Sequence, residues 1–501
     1  MSKRRLYITT AIPYVDGDPH IGFALECVQA DVLARHRRLR GERVRFLSGT
    51  DDNSLKNVEA AEAAELPVAA FVHVKAERFA ALRGPLTVSY DDFIRTSVDP
   101  RHEPGVERLW RACAAASDLY ERDYEGLYCT GCEAFLSPGD LVEGVCHEHG
   151  QAPDVVAERN WFFRLSRYQD ELLALIESGG LRIEPRHRRN EVLSFIRGGL
   201  TDFSVSRSRE RARGWGIPVP DDPSQVIYVW FDALGNYITA LAYGTAGDHY
   251  HRWWARADER LIVIGKGIIR FHAVYWPAIL LSAGEPLPTA IFVHDYITVD
   301  GRNRSKSRGT SVDPVALAAR YGAVALRWWF IRGVPRSGDA EFREELLAAR
   351  ANELADDLGN LVNRTISLIG RLRPEGLPPT APPDDAAALV AAIAGLPDVI
   401  DEALGSFDFR SAGEALWGAV DAANRFVSAT RPWELGKLES RDDGAVAGRL
   451  QAVLCVLLGA CQAIAHELHP FLPDAATRIE QALERCDPEL GRMLFTKVVA
   501  A

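Results

Sequence analysis

Leu6-Tyr7-Ile8-Thr9-Thr10 is a short apolar, β-prone run, followed by Pro13 and Gly17. It reads as a buried strand ending in a loop. From Gly22 to Arg40 the apolar residues Ala24, Cys27, Val28, Ala30, Val32 and Leu33 recur at helical spacing. Val44-Arg45-Phe46-Leu47 is a second strand, ending at Ser48-Gly49-Thr50-Asp51. Strand, helix and strand in that order form a βαβ unit and predict a parallel sheet. Ligands of such sheets bind beyond the carboxyl ends of the strands, where His20 and Asp51 both fall.

Further along, Leu261-Ile262-Val263-Ile264-Gly265-Lys266 reads as another buried strand, Phe271 to Leu281 as a helix, and Ile291-Phe292-Val293-His294 as a strand. The sheet is therefore expected to resume near 225, after an insertion. Beyond about 345 the pattern is helical: Leu346-Leu347, Leu354, Leu358, Leu361-Val362 and Ile366 fit a long amphipathic helix. Arg373 to Asp385 holds five prolines and one glycine and must be a loop. The expected division is 1–113 and 221–294 for the two halves of the sheet domain, 114–220 for the insertion, 295–345 for a connecting region and 346–501 for a helical bundle.

The 501 residues carry a net charge of −11, which argues against a surface that coats nucleic acid broadly. Local basic patches remain possible at Arg207, Arg209, Arg211 and Arg213, and at Arg35, Arg37, Arg38, Arg40 and Arg43; solvated helix and loop faces are the simpler reading of both. No apolar run suits a signal peptide or approaches the roughly 18 residues of a membrane span, so a cytoplasmic protein is expected.

Of the 8 cysteines, three cluster. Cys129-Thr130-Gly131-Cys132 is followed after thirteen residues by Cys146-His147-Glu148-His149. Two tight pairs, Cys-x2-Cys and Cys-x2-His, can each grip one side of a tetrahedral Zn²⁺. The expected ligands are Cys129, Cys132, Cys146 and His149, with His147 as a rival fourth. Four protein ligands leave no open position, so the zinc would be structural.

Two short motifs decide the chemistry: Pro19-His20-Ile21-Gly22-Phe23 and Asn303-Arg304-Ser305-Lys306-Ser307. They are similar to the HIGH and KMSKS signatures of class I aminoacyl-tRNA synthetases, which hold ATP while a carboxylate attacks its α-phosphorus. Their surroundings narrow the resemblance. Ile8-Thr9-Thr10-Ala11-Ile12-Pro13-Tyr14, Tyr228-Val229-Trp230-Phe231-Asp232-Ala233-Leu234-Gly235-Asn236-Tyr237, Phe203-Ser204-Val205-Ser206-Arg207, Asn360-Leu361-Val362-Asn363-Arg364 and Pro432-Trp433-Glu434 resemble segments of the methionyl-tRNA synthetase family. The likeness runs over essentially the whole chain.

The resemblance implies a Rossmann-type parallel-sheet catalytic domain, an inserted connective domain with a zinc knuckle, and a C-terminal α-helical bundle that reads the anticodon. It implies ATP with Mg²⁺ held by His20, Gly22, Gly265, Ser305, Lys306 and Ser307, with His20 and Lys306 catalytic. Asp51 would pair with the amino-acid ammonium. Ala11, Ile12, Tyr14, Trp230, Ala233, Tyr237, Ile268 and His272 would surround the side chain, and Asn360, Arg364 and Trp433 would meet anticodon bases of a tRNA partner.

Departures from the family pattern gather around ATP. Phe23 stands where the second histidine of HIGH belongs, and Asn303 and Arg304 replace the first lysine and the methionine of KMSKS. Gly267 stands for an aspartate, Asp295 for a glycine, and Asp51-Asp52-Asn53-Ser54 for Asp-Glu-His-Gly. The leading expectation is ATP-dependent adenylation of an amino acid with transfer to tRNA. The alternative is a tRNA-independent paralogue, like the methionyl-synthetase-like part of hydrazine synthetases, that esterifies a small hydroxylamine acceptor such as N-hydroxylysine for N–N bond formation. That route would need a separate cupin protein. A non-catalytic tRNA- or amino-acid-binding module is a third reading, disfavoured by His20, Asp51 and Lys306 together.

Overall fold

The computed structural model describes residues 3–129, 134–136, 139, 141–147, 150–299, 302–303, 312–439 and 444–498. Its centre is a six-stranded sheet. In chain order the strands are β1 (Arg5–Thr9), β2 (Arg43–Thr50), β3 (Asp92–Arg95), β4 (Arg182–Glu184), β5 (Glu259–Gly265) and β6 (Ala290–His294). They lie side by side as β3-β2-β1-β5-β6-β4, every pair parallel. The order runs outward from β1 in one direction and from β5 in the other. The crevice between β1 and β5 is thus the switch point where such sheets take ligands.

Burial explains the near-continuous apolar runs of these strands: Leu6, Ile8, Phe46, Val263 and Ile291 are all at most 1–2% exposed. Helix α1 (Ile21–Leu39) crosses from β1 to β2 and buries its Phe23, Cys27, Ala30 and Ala34 stripe. The helix expected at Phe271 to Leu281 is present, but its first turn, Phe271–Tyr275, is wound wide, and regular helix follows at Trp276–Ala283.

The expected insertion at 114–220 is not continuous. Arg182–Glu184, in its middle, pairs in parallel with Ala290–Phe292 and returns the chain to the central sheet. Before it, Leu119–Cys129 and Asp154–Phe163 form a long antiparallel pair. After Ala340–Phe342 the described residues contain helices and loops but no strand. Gly444–Leu468, 25 residues, is long and apolar enough to cross a membrane. Here Leu450, Val453, Leu457, Cys461, Ile464 and Leu468 are buried in contacts with neighbouring helices.

The arginine run near 35–43 is not a basic patch. Arg35 pairs with Asp31, Arg37 with Glu42 and Glu259, Arg38 with Asp91, and Arg40 with Asp401 and Glu467. The end of α1 is thereby bound to the C-terminal helices. Arg207 is buried against the Tyr128 and Tyr228 rings, and Arg211 lies 4.0 Å from the Tyr128 centroid, so half of the second run holds the insertion in place.

Candidate active site

His20 precedes α1 in extended conformation and folds back as its N-cap. Its Nδ1 accepts from the amides of Gly22 (3.1 Å) and Phe23 (3.3 Å). An accepting Nδ1 puts the neutral ring's hydrogen on Nε2. That N–H and the positive end of α1 are the groups a phosphate oxygen needs. A Cβ on Gly22 would sit 3.0 Å from His20 Nδ1 and Cε1. The glycine therefore makes room for the His20 ring itself, a task beyond the close nucleotide approach expected from sequence. Phe23 turns inward, 5% exposed, with its ring 5.4 Å from Phe79. It contributes packing and not a donor.

On the other wall, α2 (Val229–Thr239) presents Trp230, Ala233 and Tyr237 on one face by its three- and four-residue spacing. Trp230 meets Tyr14 edge-on at 6.1 Å and stacks on Phe271 at 3.7 Å. Ala11, Ile12, Tyr14, Trp230, Tyr237 and Ile268 share one apolar cluster. The wide turn at 271–275 carries His272 into it. His272 Nδ1 donates to the Ile268 carbonyl (2.9 Å), so its Nε2 accepts from the Tyr237 hydroxyl (2.7 Å). Burial lowers the His272 pKa to about 4 and keeps the ring neutral. Of the eight residues expected around an amino-acid side chain, six share this cluster, His272 bonds to Tyr237 of it, and Ala233 lies on the α2 face of Trp230 and Tyr237. Phe271 belongs with them; its place one turn from Ile268 was the available signal.

Asp51 is wholly buried where β2 ends, bridged to Tyr14, and accepts from the Asn53 amide at 3.1 Å. The divergent residues after it are each tied down. Asp52 accepts from Ser97 (2.7 Å), Thr50 (2.9 Å) and Arg95 (3.3 Å). Asn53 donates to Asp232 (2.8 Å), which His102 also contacts. Ser54 caps the next helix through Asn57 N.

The divergence at Gly267 and Asp295 is likewise matched. A Cβ on Gly267 would fall 2.3 Å from the Tyr296 hydroxyl, so an aspartate there would need Tyr296 to move. Asp295 ion-pairs with Arg188 and accepts from Gly338 N at 2.7 Å. Burial opposes its charge, but Arg188, that amide and Lys266 hold its carboxyl below the usual range. In the second motif, Arg304, Ser305, Lys306 and Ser307 lie outside the described residues, as do the expected zinc ligands Cys132 and His149.

The family model of tRNA synthetases class I (M) matches residues 6–148 and 129–366. The chain belongs to the methionyl class I tRNA synthetases. Among its relatives, the methionine–tRNA ligase of Caldanaerobacter subterraneus is 39% identical over 96% of this chain and 74% of its own length. That of Mycobacterium tuberculosis is 41% identical over 94% and 91%. The structure of the M. tuberculosis methionyl-tRNA synthetase in complex with methionyl-adenylate superposes with a TM-score of 0.90 at 39% identity, covering 95% of this chain and 93% of that one. The apo form of the same enzyme gives 0.83 at 36% identity, over 95% and 91%. Membership of the family gives the crevice between β1 and β5 its chemical context.

Proposed function

We propose that this protein activates methionine with ATP and transfers the acyl group to tRNA. The observation that carries the reading is the Tyr14–Trp230–Tyr237–His272 cluster with Asp51 bridged to Tyr14, in a chain of this family. The methionine carboxylate attacks the α-phosphorus; the new P–O bond forms as the bond to pyrophosphate breaks. The His20 Nε2–H, held in place by the amides of Gly22 and Phe23 on its Nδ1, stabilises charge on the phosphate oxygens, and Lys306, with Ser305 and Ser307, supplies a cation from its loop. Mg²⁺ enters with ATP, which also rests against Gly22 and Gly265. A hydroxyl of the tRNA 3′ end then attacks the acyl carbon and AMP leaves. The setting is the cytoplasm, where all three substrates meet.

The pocket suits a thioether: aromatic walls, the small side chains of Ala11 and Ala233, and neutral His272 and Tyr237 at its base. In the C-terminal bundle (346–501), Asn360 and Arg364 are exposed, and Arg364 donates to Asn424 at 2.8 Å. Trp433, half-buried against the helical core, is the aromatic group that would join them in meeting unstacked anticodon bases. The relatives favour tRNA over an N-hydroxylated lysine acceptor. The departures at Phe23, Asp52–Ser54, Gly267 and Asp295, which suggested the latter, each have a local partner. Trp433→Ala should cut methionine charging of tRNA by about 1–3 kcal/mol, the worth of one base stack, and leave pyrophosphate exchange unchanged. Transfer to a small hydroxylamine but not to tRNA would overturn the reading.

The parts of 114–220 on either side of the sheet strand Arg182–Glu184 serve as the connective region, and the segment 129–149 holds structural zinc. Cys129 and Cys146 are buried, as thiolates shared by one ion would be, and Gly150 N donates to the Cys146 carbonyl (2.7 Å). Cys132 and His149 complete the set. Metal analysis of freshly purified protein should give about one zinc per chain, and Cys146→Ser should lose it; a protein purified without zinc refutes the site.

A further inference from the structure

Two buried titratable side chains, Glu26 and His294, have no part in the mechanism above. We propose that they form a positioning pair that locks the amino-acid half and the nucleotide half of the crevice into one geometry. The inference rests on the activation reading. Glu26 is 4% exposed on α1, the helix that His20 caps, and His294 is 8% exposed at the end of β6. Glu26 Oε1 accepts from the Ala11 amide at 2.7 Å, and its Oε2 lies 3.0 Å from His294 Nε2. His294 Nδ1 lies 2.9 Å from the Asp295 carbonyl, an acceptor only, so Nδ1 carries a hydrogen. One proton then lies between Nε2 and Oε2.

The histidine ring also touches the nucleotide side. Gly265 and His294 are register partners across β5 and β6. A Cβ on Gly265 would lie 3.3 Å from His294 Cε1 and 3.5 Å from Nε2. One carboxylate on α1 therefore gathers three strand ends: Ala11 directly, His294 directly, and Gly265 through the ring laid against it. Ala11 opens the methionine pocket and Gly265 belongs to the nucleotide set. Burying a carboxylate and an imidazole is costly unless both are hydrogen-bonded. Their bonds here run between elements and so fix relative position. In-line attack on phosphorus depends on that position, because misplacement of the reacting groups by about 1 Å can cost a hundredfold.

The test is pyrophosphate exchange with separate KM values for methionine and ATP, beside thermal unfolding. Glu26→Ala should raise both KM values roughly tenfold or more. Glu26→Gln should stay within about threefold, because its amide oxygen accepts from Ala11 N and its NH₂ donates to His294 Nε2. A Glu26→Ala protein that melts earlier with both KM values unchanged overturns the proposal, as does a Gln variant as impaired as Ala, which would mean that the charge itself acts on substrate. If Glu26→Ala does not fold, Glu26→Asp replaces it: one methylene shorter, it cannot reach both partners, and the same rise is expected, with unchanged KM values again overturning. Wild-type protein without methionine-dependent exchange refutes the activation reading, not the pair. Hydrogen exchange at the Ala11 amide then decides: protection lost in Glu26→Ala and kept in Glu26→Gln supports the pair, and protection kept in both overturns it.

Discussion

Replacing Asp51 by alanine should abolish methionine-dependent pyrophosphate exchange while the protein keeps its fold. Asp51 is wholly buried, its backbone is bridged to that of Tyr14, and its carboxylate accepts from the Asn53 amide (3.1 Å) and the Thr96 hydroxyl (3.5 Å). A substrate ammonium entering there leaves water, and one carboxylate must replace its hydration. Removing one partner of such a desolvated charge pair costs about 2–5 kcal/mol, which corresponds to tens to thousands of fold in KM or in kcat/KM. The fold should survive, because Asp51 accepts from the amide of its own loop, and Asp52, Asn53 and Ser54 hold that loop through Ser97, Asp232 and Asn57. Asp51→Asn sharpens the test: the amide oxygen still accepts from Asn53 N, so geometry persists while the charge goes. It should be nearly as inactive as Asp51→Ala. Exchange within about threefold of wild type in Asp51→Asn would show that charge pairing is not what binds the amino acid.

Four of the six sheet strands were legible because they are largely buried and read as apolar runs, and α1 because its stripe has helical period; Asp92–Arg95, half-buried with a charge at each end, was not. The inward turn of Phe23 was legible too, since Phe23, Cys27, Ala30 and Ala34 share one face. Reading Phe23 only as a missing phosphate donor overlooked that spacing. Arg182–Glu184 gave no such signal. It is an edge strand of three residues, two of them charged, and only its pairing with Ala290–Phe292 makes it a strand. The arginines of α1, read most simply as solvated faces, gave no sign of their ion pairs for a related reason: the partners Asp91, Glu259, Asp401 and Glu467 are distant in sequence. The pocket residues came from resemblance; what spacing could not supply was the Tyr237–His272–Ile268 chain that sets the tautomer, or the bridge from Glu26 to two strand ends.

Arg327→Met should be the most destabilising single change outside the crevice. Helix α3 (Ala323–Arg332) carries this side chain at 1% exposure into the junction between the sheet domain and the C-terminal helices. Its Nε donates to the Phe471 carbonyl (2.7 Å), Nη1 to Leu86 (2.9 Å) and Nη2 to Pro470 (3.1 Å), and Nη2 also pairs with Asp31 at 2.8 Å. Asp31, on α1, is itself wholly buried and also accepts from Arg35 and Ser89. One guanidinium therefore serves three carbonyls and a carboxylate drawn from α1, the turn after Val68–Ala80 and the segment entering Pro473–Arg485. Methionine fills much of the volume but donates to none of them. Breaking a buried ion pair from one side costs about 3–5 kcal/mol, because the remaining charge stays buried. Neutralising both sides should be less harmful, so Arg327→Met with Asp31→Asn should recover part of the loss. Urea unfolding followed by circular dichroism measures both. The double variant should lie above the single one, and the C-terminal helices should loosen first, with tRNA charging falling before pyrophosphate exchange. A single variant within about 1 kcal/mol of wild type would mean that water or a shifted Arg35 replaces these bonds, and that the junction is held by its apolar contacts alone.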